Sequence, residues 1–205
     1  MGKNGNKLLI KNAFNFVRAF IPLNVRYRPE FNQILHLLKY SESWDLSKVE
    51  DFQYRKTLKL LEFAEKNVEW YKRSFSNWGV SSRSFKSLED IKSFPTISKE
   101  EVQQNLSLFL AKGVKKNKLY YLTTAGSTGI PFGFYQSSSL IKIEKAFFAY
   151  HWGLYGCHLD DLSVVLRGGF VGDENHLFSY NQAENAWHFS SYYLTENNLG
   201  LYFNN

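Results

Sequence analysis

The chain has 205 residues, of which 44% are hydrophobic and 18% aromatic, so it can bury a substantial core and is not a disordered tail. Its single cysteine, Cys157, excludes a disulfide framework within the chain and fits a reducing compartment, so we predict a cytoplasmic location. The net charge of +6 would suit nucleic acid, but basic residues alternate with acidic ones and no nucleic-acid-binding signature accompanies them. We therefore predict no nucleic-acid partner.

The amino-terminal segment combines apolar residues with Lys3, Lys7, Lys11 and Arg18. Lys11, Asn12, Asn15 and Arg18 interrupt the apolar run, and no small-residue cleavage site follows it, so it predicts neither a transmembrane segment nor a signal peptide. A helical face is expected to dock on the protein itself, with the surface of a membrane as the alternative. The residues that share this face are Phe14, Val17, Phe20 and Ile21.

Residues 1–115 are predicted to be mainly helical. Ser47-Lys-Val-Glu50 is a capping box, and apolar residues follow it at helical spacing. Ser87-Leu-Glu-Asp90 and Ser98-Lys-Glu-Glu101 predict the starts of two shorter helices. The residues expected to face the core are Tyr54, Leu58, Leu61 and Val68 in the first helix and Val102, Leu106 and Leu110 in the last.

Residues 116–205 are predicted to form an α/β segment, so the fold class is α/β with a helical amino-terminal region. Ser138 or Ser139 is expected to cap a helix that ends near Gly156, followed by a buried strand over Leu162–Arg167 and a hairpin around residues 181–185. A strand–helix–strand unit is therefore expected. The apolar stripe of the helix is predicted to contain Ile143, Ala146, Phe147, Tyr150 and Leu154.

Residues 124–131 read Thr-Ala-Gly-Ser-Thr-Gly-Ile-Pro and lie between two segments of extended character. The two glycines permit close backbone approach to a ligand, and the hydroxyl groups and amides can donate hydrogen bonds, which together suit polyphosphate. A common P-loop is disfavoured, because Ile130 stands where that motif requires lysine. The alternative is a Gly/Ser-rich turn between two strands. The predicted phosphate-binding residues are Thr124, Ala125, Gly126, Ser127, Thr128 and Gly129.

Candidate site residues also follow the loop. Arg167 ends the predicted strand, where it could supply positive charge to a nucleotide or pair with Asp160 or Asp161. His151 and Trp152 could line a substrate pocket, or they could pack as ordinary helix residues. Cys157, His158, Asp160 and Asp161 superficially suggest a metal site. No metal site is predicted, because adjacent residues point apart and no second cluster completes a set of four ligands.

The loop resembles the phosphate-binding signature of adenylate-forming enzymes, [ST]-[SAG]-G-[ST]-T-G-x-P, at every constrained position. Weaker similarities to the phenylacetate–CoA ligase and CapK-like branch occur in the same order along the chain, although Trp70 replaces the usual proline of one landmark. Those segments are residues 67–73 (NVEWYKR), 94–100 (FPTISKE), 152–161, 166–169 (LRGG) and 189–194 (FSSYYL).

This resemblance implies activation of a carboxylic acid by ATP and Mg²⁺, with an acyl-adenylate as intermediate and CoA as an expected acceptor. Members of the family continue well beyond this point, so we expect the 205 residues to be part of an adenylation domain that shows no turnover alone. Release of pyrophosphate by the pure chain would contradict this expectation. The expected partner is a carboxyl-terminal half or a second copy. The alternative is a non-catalytic nucleotide-binding or interaction module connected with polysaccharide synthesis.

Overall fold

A computed structural model describes residues 20–21, 23–124, 132–168 and 177–203 of the chain. It divides into two compact units, which we call the central unit (Leu37–Lys142) and the terminal unit (Met1–His36 with Ile143–Asn205). The architecture is mixed α/β with small sheets, so the coarse fold class predicted from the sequence is confirmed. Within the described ranges, no helix combines the length and the apolar character needed to cross a bilayer.

Helices dominate the described residues between 23 and 118. They are α1 (Leu23–Arg26), α2 (Glu30–Ser41), α3 (Leu46–Asn67), α4 (Glu69–Asn77) and α5 (Lys99–Gln104), with 3-10 helices at Ser82–Ser84, Leu88–Ser93, Leu106–Phe109 and Lys116–Lys118. Of the predicted amino-terminal helix face, Phe14 and Val17 lie outside the described residues, and Phe20 and Ile21 are exposed.

The start of α3 differs from the sequence prediction. The helix begins at Leu46, and the side chain of Asp45 accepts a hydrogen bond from the Lys48 N–H (2.8 Å). Ser47 therefore lies inside the first turn and does not cap the helix. Both residue types are good caps, but the carboxylate of Asp45 also carries a negative charge that favours the amino-terminal end of a helix.

The two later helix starts are confirmed. At Ser87–Asp90 both bonds of a capping box are present, and Asp90 also accepts from the Lys86 N–H (2.8 Å), although the helix that follows is of the 3-10 type. The Ser98 hydroxyl oxygen accepts from the Glu101 N–H (3.1 Å) at the start of α5.

The central unit contains a core made largely of aromatic residues. Leu61, Phe75, Phe85 and Phe94 are buried together, and the ring of Tyr54 stacks on Phe85 with centroids 5.4 Å apart. The predicted inner face of α3 is therefore confirmed, since Leu58 also packs on this core and Val68, just beyond the helix, is buried. Val102, Leu106 and Leu110 are half-buried.

The strands form two separate sheets in the described part of the chain. β1 (Tyr120–Thr123) pairs antiparallel with β2 (Gly133–Gln136). In the terminal unit, β3 (Ser163–Arg167), β4 (Phe178–Asn181) and β5 (Ala186–Ser190) follow the order β3-β5-β4, with β3 parallel and β4 antiparallel to β5. The predicted hairpin around residues 181–185 is confirmed.

The predicted strand–helix–strand order is present, but β2 and β3 belong to different sheets. The intervening helix α6 (Ser138–Gly153) is followed by Gly156, whose φ of +77° suits glycine, and the Cys157 N–H donates to the Trp152 oxygen (3.1 Å). The predicted stripe is only partly buried: Ala146 is fully buried, whereas Phe147 and Leu154 are exposed.

The prediction that Leu162–Arg167 is a buried strand is wrong in part. A strand forms, yet Leu162, Val164 and Leu166 are exposed. Among the described residues no element covers the face that carries these three side chains, and β3 lies at the edge of its sheet. A short helix, α7 (Leu199–Phe203), follows β5, and the Tyr202 hydroxyl donates to the Ser190 carbonyl oxygen (2.6 Å). At the other end of the sheet, the Arg26 guanidinium donates to the Ala183 carbonyl oxygen in the β4–β5 turn (2.5 Å).

Candidate functional site

The β1–β2 hairpin holds the two ends of the motif at residues 124–131. The Thr124 N–H donates to the Phe132 carbonyl oxygen (2.9 Å), and the Phe132 N–H donates back to the Thr124 hydroxyl oxygen (3.2 Å). These reciprocal bonds continue the strand register, in which Thr123 lies opposite Gly133. Residues 125–131 lie outside the described residues, so Ala125, Gly126, Ser127, Thr128 and Gly129 remain predictions as phosphate-binding residues.

Thr124 has a more specific place than the sequence indicated. Its backbone N–H is used by the hairpin and cannot also bind a phosphate. Its hydroxyl oxygen accepts from Phe132, but the hydroxyl hydrogen is still available, because a hydroxyl group can accept and donate at once. Thr124 is exposed. It can therefore close the base of the loop and offer one donor to a ligand in front of it.

Phe132 is a participant that the sequence analysis missed. Its backbone, rather than its side chain, makes the contact with Thr124, so residue type gives little signal. The available clue was the pairing of two strands on either side of the loop. If β1 and β2 form a hairpin with Thr123 opposite Gly133, then Thr124 and Phe132 lie opposite one another.

An aromatic pair lines the hairpin behind the loop. Tyr121 and Tyr135 are register partners whose ring centroids lie 5.2 Å apart. The Tyr121 ring also crosses Gly133 so closely that a Cβ at Gly133 would overlap its hydroxyl group. Gly133 is therefore required for close approach of this ring, a use of glycine that is common in strands.

Residues 112–118, which contain four lysines, precede the hairpin and contact its second strand. The ammonium group of Lys116 lies 5.0 Å from the centroid of the Tyr135 ring, a cation–π distance. Lys115, Lys116 and Lys118 are exposed. This contact holds part of the positive charge of residues 112–118 beside the hairpin whose ends flank residues 124–131.

Arg167 occupies the carboxyl end of β3, as predicted, and belongs to the terminal unit, whereas Thr124 belongs to the central unit. It is exposed, and its guanidinium group makes no hydrogen bond or ion pair with any residue that the structure describes. The alternative ion pair with Asp160 or Asp161 is not formed; a carboxylate oxygen of Asp161 instead accepts from the His158 N–H (2.7 Å). A nucleotide-binding role for Arg167 remains a prediction.

The side chains of the neighbouring residues His151 and Trp152 have different surroundings in the structure. Trp152 lines an open cavity of about 400 Å³, whereas His151 is not one of its lining residues and instead contacts the Tyr155 ring (5.8 Å). Trp152 is exposed, so it does not pack in the core as its alternative required, and His151 and Tyr155 are exposed as well. The cavity is lined by Trp152, Tyr155, Cys157, His158, Asp161, Leu162 and Ser163.

Chemically, this cavity offers aromatic and apolar walls with a few polar groups, the usual composition of a small-molecule pocket. In the described part of the chain, no three His, Cys, Asp or Glu side chains come together as a metal-binding group.

Comparison with known proteins gives one line of support. No family model matches the chain. Protein CapK from Staphylococcus aureus is 22% identical to this chain over an alignment of 203 residues, which covers 97% of this chain and 43% of CapK. The chain is thus similar to CapK along almost its whole length and spans less than half the length of that curated relative. A CapK-like relationship is supported, whereas membership of the adenylate-forming superfamily stays a prediction.

Proposed function

We propose that this chain forms part of an ATP-dependent, carboxylate-activating ligase of polysaccharide biosynthesis, in which residues 124–131 bind the phosphates of ATP. The main support is the reciprocal pair of hydrogen bonds between Thr124 and Phe132, which encloses the motif that resembles the adenylate-forming signature. The similarity to CapK along 97% of the chain supports the same family branch.

The Thr124–Phe132 contact matters because ligand binding by a loop costs conformational entropy. Bringing the ends of a flexible segment together is unfavourable, and here the hairpin has already done so before any ligand arrives. A loop that is partly organised in advance loses less freedom when it binds, so more of the interaction energy appears as affinity.

The proposed donors to the phosphate oxygens are neutral. Thr124 contributes its hydroxyl hydrogen, and Ser127, Thr128 and the loop amides are predicted to contribute the rest. Positive charge would come from the exposed lysines of residues 112–118, which Lys116 attaches to the hairpin. Such a cluster raises the local concentration of an anionic nucleotide without contacting every phosphate.

In the proposed reaction a substrate carboxylate attacks the α-phosphorus of ATP, and pyrophosphate leaves. The loop would hold the β- and γ-phosphates while negative charge grows on the leaving group, so its residues position and stabilise but do not act as nucleophiles. No residue is assigned to Mg²⁺, because the described residues contain no group of three side chains that could hold a metal ion. CoA stays a prediction.

The complete activity is proposed for a protein of CapK-like extent. This chain corresponds to 43% of CapK, so recognition of the acid and of the acceptor is assigned to no residue here. Phosphate binding is the part of the function that this chain can be tested for directly.

Calorimetric titration of ATP into the wild-type chain and into Thr124→Val and Thr124→Ser tests the proposal. Valine keeps the shape of threonine but removes the hydroxyl group, so we expect ATP affinity to fall on the order of tenfold, the effect of losing one or two hydrogen bonds. Serine keeps the hydroxyl group and should retain most of the affinity.

AMP provides the control, because it lacks the β- and γ-phosphates. It should bind more weakly than ATP, and its affinity should be the same in wild type and Thr124→Val. Absence of ATP binding by the wild type, or equal ATP affinity in Thr124→Val, would contradict phosphate binding at this loop.

A further inference from the structure

β3 is the outermost strand on one side of its sheet, and among the described residues nothing pairs with its outer edge. The Ser163 N–H donates to the Asn185 carbonyl oxygen (3.0 Å), on the side of β5. Backbone groups of successive strand residues point to opposite sides, so the N–H and C=O groups of Val164 and Leu166 point to the outer edge. The edge therefore offers an ordered row of donors and acceptors.

The side chains on this edge are apolar and exposed. Leu162, Val164 and Leu166 are 65%, 69% and 53% exposed, and their spacing of two places them on one face. Natural edge strands usually carry a charge, a proline or a bulge that prevents pairing. Residues 162–166 (LSVVL) carry no charge and no proline.

We propose that β3 pairs antiparallel with β3 of a second copy of this chain, around a two-fold axis at Val164. Val164 then lies opposite the partner's Val164, and Leu162 lies opposite the partner's Leu166. Both are pairs of residues whose backbone groups point outward, so they can exchange N–H···O bonds directly. The two three-residue apolar stripes become neighbours on one face of a continuous six-stranded sheet.

Charge favours a two-fold axis at Val164 over one at Val165. With the axis at Val164, Asp161 lies opposite the partner's Arg167, and the same pair occurs again by symmetry. Arg167 has no ion pair among the described residues. The Asp161 Oδ2 accepts from the His158 N–H, and no described residue donates to its Oδ1. An axis at Val165 would also align outward backbone groups, but it would place Arg167 opposite the partner's Ser163 and lose both ion pairs.

A second copy fits this edge because the edge is self-complementary. An interface around a two-fold axis uses the same surface on both copies, and each contact named above occurs with its symmetry mate. A single pair of five-residue strands buries less surface than a standard stable interface. The dimer should therefore be concentration-dependent.

Sedimentation velocity over a series of protein concentrations tests the dimer. The wild-type mass should rise from 24.0 kDa toward twice that value. Val164→Lys places two ammonium groups together at the axis and should stay monomeric, whereas Leu60→Lys, at a residue that is 65% exposed in the central unit, should dimerise like wild type. Circular dichroism should show wild-type secondary structure in both variants. A wild type that is monomeric throughout, or a dimeric Val164→Lys, overturns the proposal.

A charge exchange tests the register. Asp161→Arg and Arg167→Asp should each weaken dimerisation about tenfold, since each creates two pairs of like charges at opposite positions. The combined variant should recover most of the wild-type affinity, because the opposite charges are restored with their places exchanged. A combined variant as weak as the single ones would show that the axis does not lie at Val164. The readout is mass, so it is independent of nucleotide binding and of the proposed function.

Discussion

The central and terminal units differ in how far an apolar cluster in each is buried. In the central unit, Phe75, Phe85 and Phe94 bury one another beneath α3, and Phe85 is only 1% exposed. In the terminal unit, the sheet edge leaves Val164 and Leu166 in solvent. The aromatic cluster is stabilised by contacts inside the central unit, whereas the apolar side chains of β3 form an exposed surface. Abundant aromatic and aliphatic residues therefore do not by themselves indicate how completely a region is buried.

The largest expected effect comes from a matched pair of leucine truncations. Leu61→Ala removes a buried side chain from the aromatic core and should lower the free energy of unfolding by about 2–5 kcal/mol. Leu166→Ala removes an exposed one and should change it by at most about 0.5 kcal/mol. Urea denaturation at a protein concentration low enough to keep the chain monomeric measures both. Similar losses for the two variants would show that the contrast between the units is wrong.

A smaller effect distinguishes two candidate helix caps in the central unit. Asp45→Ala removes the acceptor for the Lys48 N–H and should destabilise the protein by about 1 kcal/mol. Ser47→Ala lies inside the first turn of α3 and should have little effect, because alanine is the best helix former. Thermal unfolding of the two variants measures the difference. A larger loss for Ser47→Ala would favour the start predicted from the sequence.

The smallest expected effect is a pH dependence. Hydrogen bonds from the Lys86 and Ser87 N–H groups hold the pKa of Asp90 below its ordinary value of 3.8. A lowered folded-state pKa stabilises the protein above the ordinary pKa, and that contribution is lost as the pH falls through the folded-state pKa. Urea midpoints measured from neutral pH to about pH 3 should therefore fall more in wild type than in Asp90→Ala. Parallel curves for the two proteins would contradict the capping role of Asp90.

Local chemistry explains which elements could be predicted. The Ser87–Asp90 and Ser98–Glu101 starts and the hairpin around residues 181–185 depend on residues a few positions apart, and all three are confirmed. The start of α3 was predicted wrongly, because the sequence analysis considered Ser47 and not Asp45, which caps the helix. The carboxylate that reaches the Lys48 N–H decided the start of α3.

The candidate site was predictable only in part, because local sequence reveals a motif but not the contacts that depend on strand pairing. Residues 124–131 stand out by composition, and Arg167 was correctly placed at the end of a strand. The reciprocal bonds of Thr124 with Phe132 could not be read from residue types, since they depend on the register of β1 with β2. Nor could the lining of the Trp152 cavity, because the turn after α6 brings His158 and Leu162 to it.

The sequence by itself determined the helix-forming and strand-forming segments and the inner face of α3, since each depends on spacing within a few residues. Phosphate binding by residues 124–131 stays a prediction. Tertiary structure decided that β2 and β3 join different sheets, that β3 forms an exposed edge and that Thr124 closes the base of the loop. Periodicity reveals which side chains share a face, but only the elements that pack on that face determine whether it is covered.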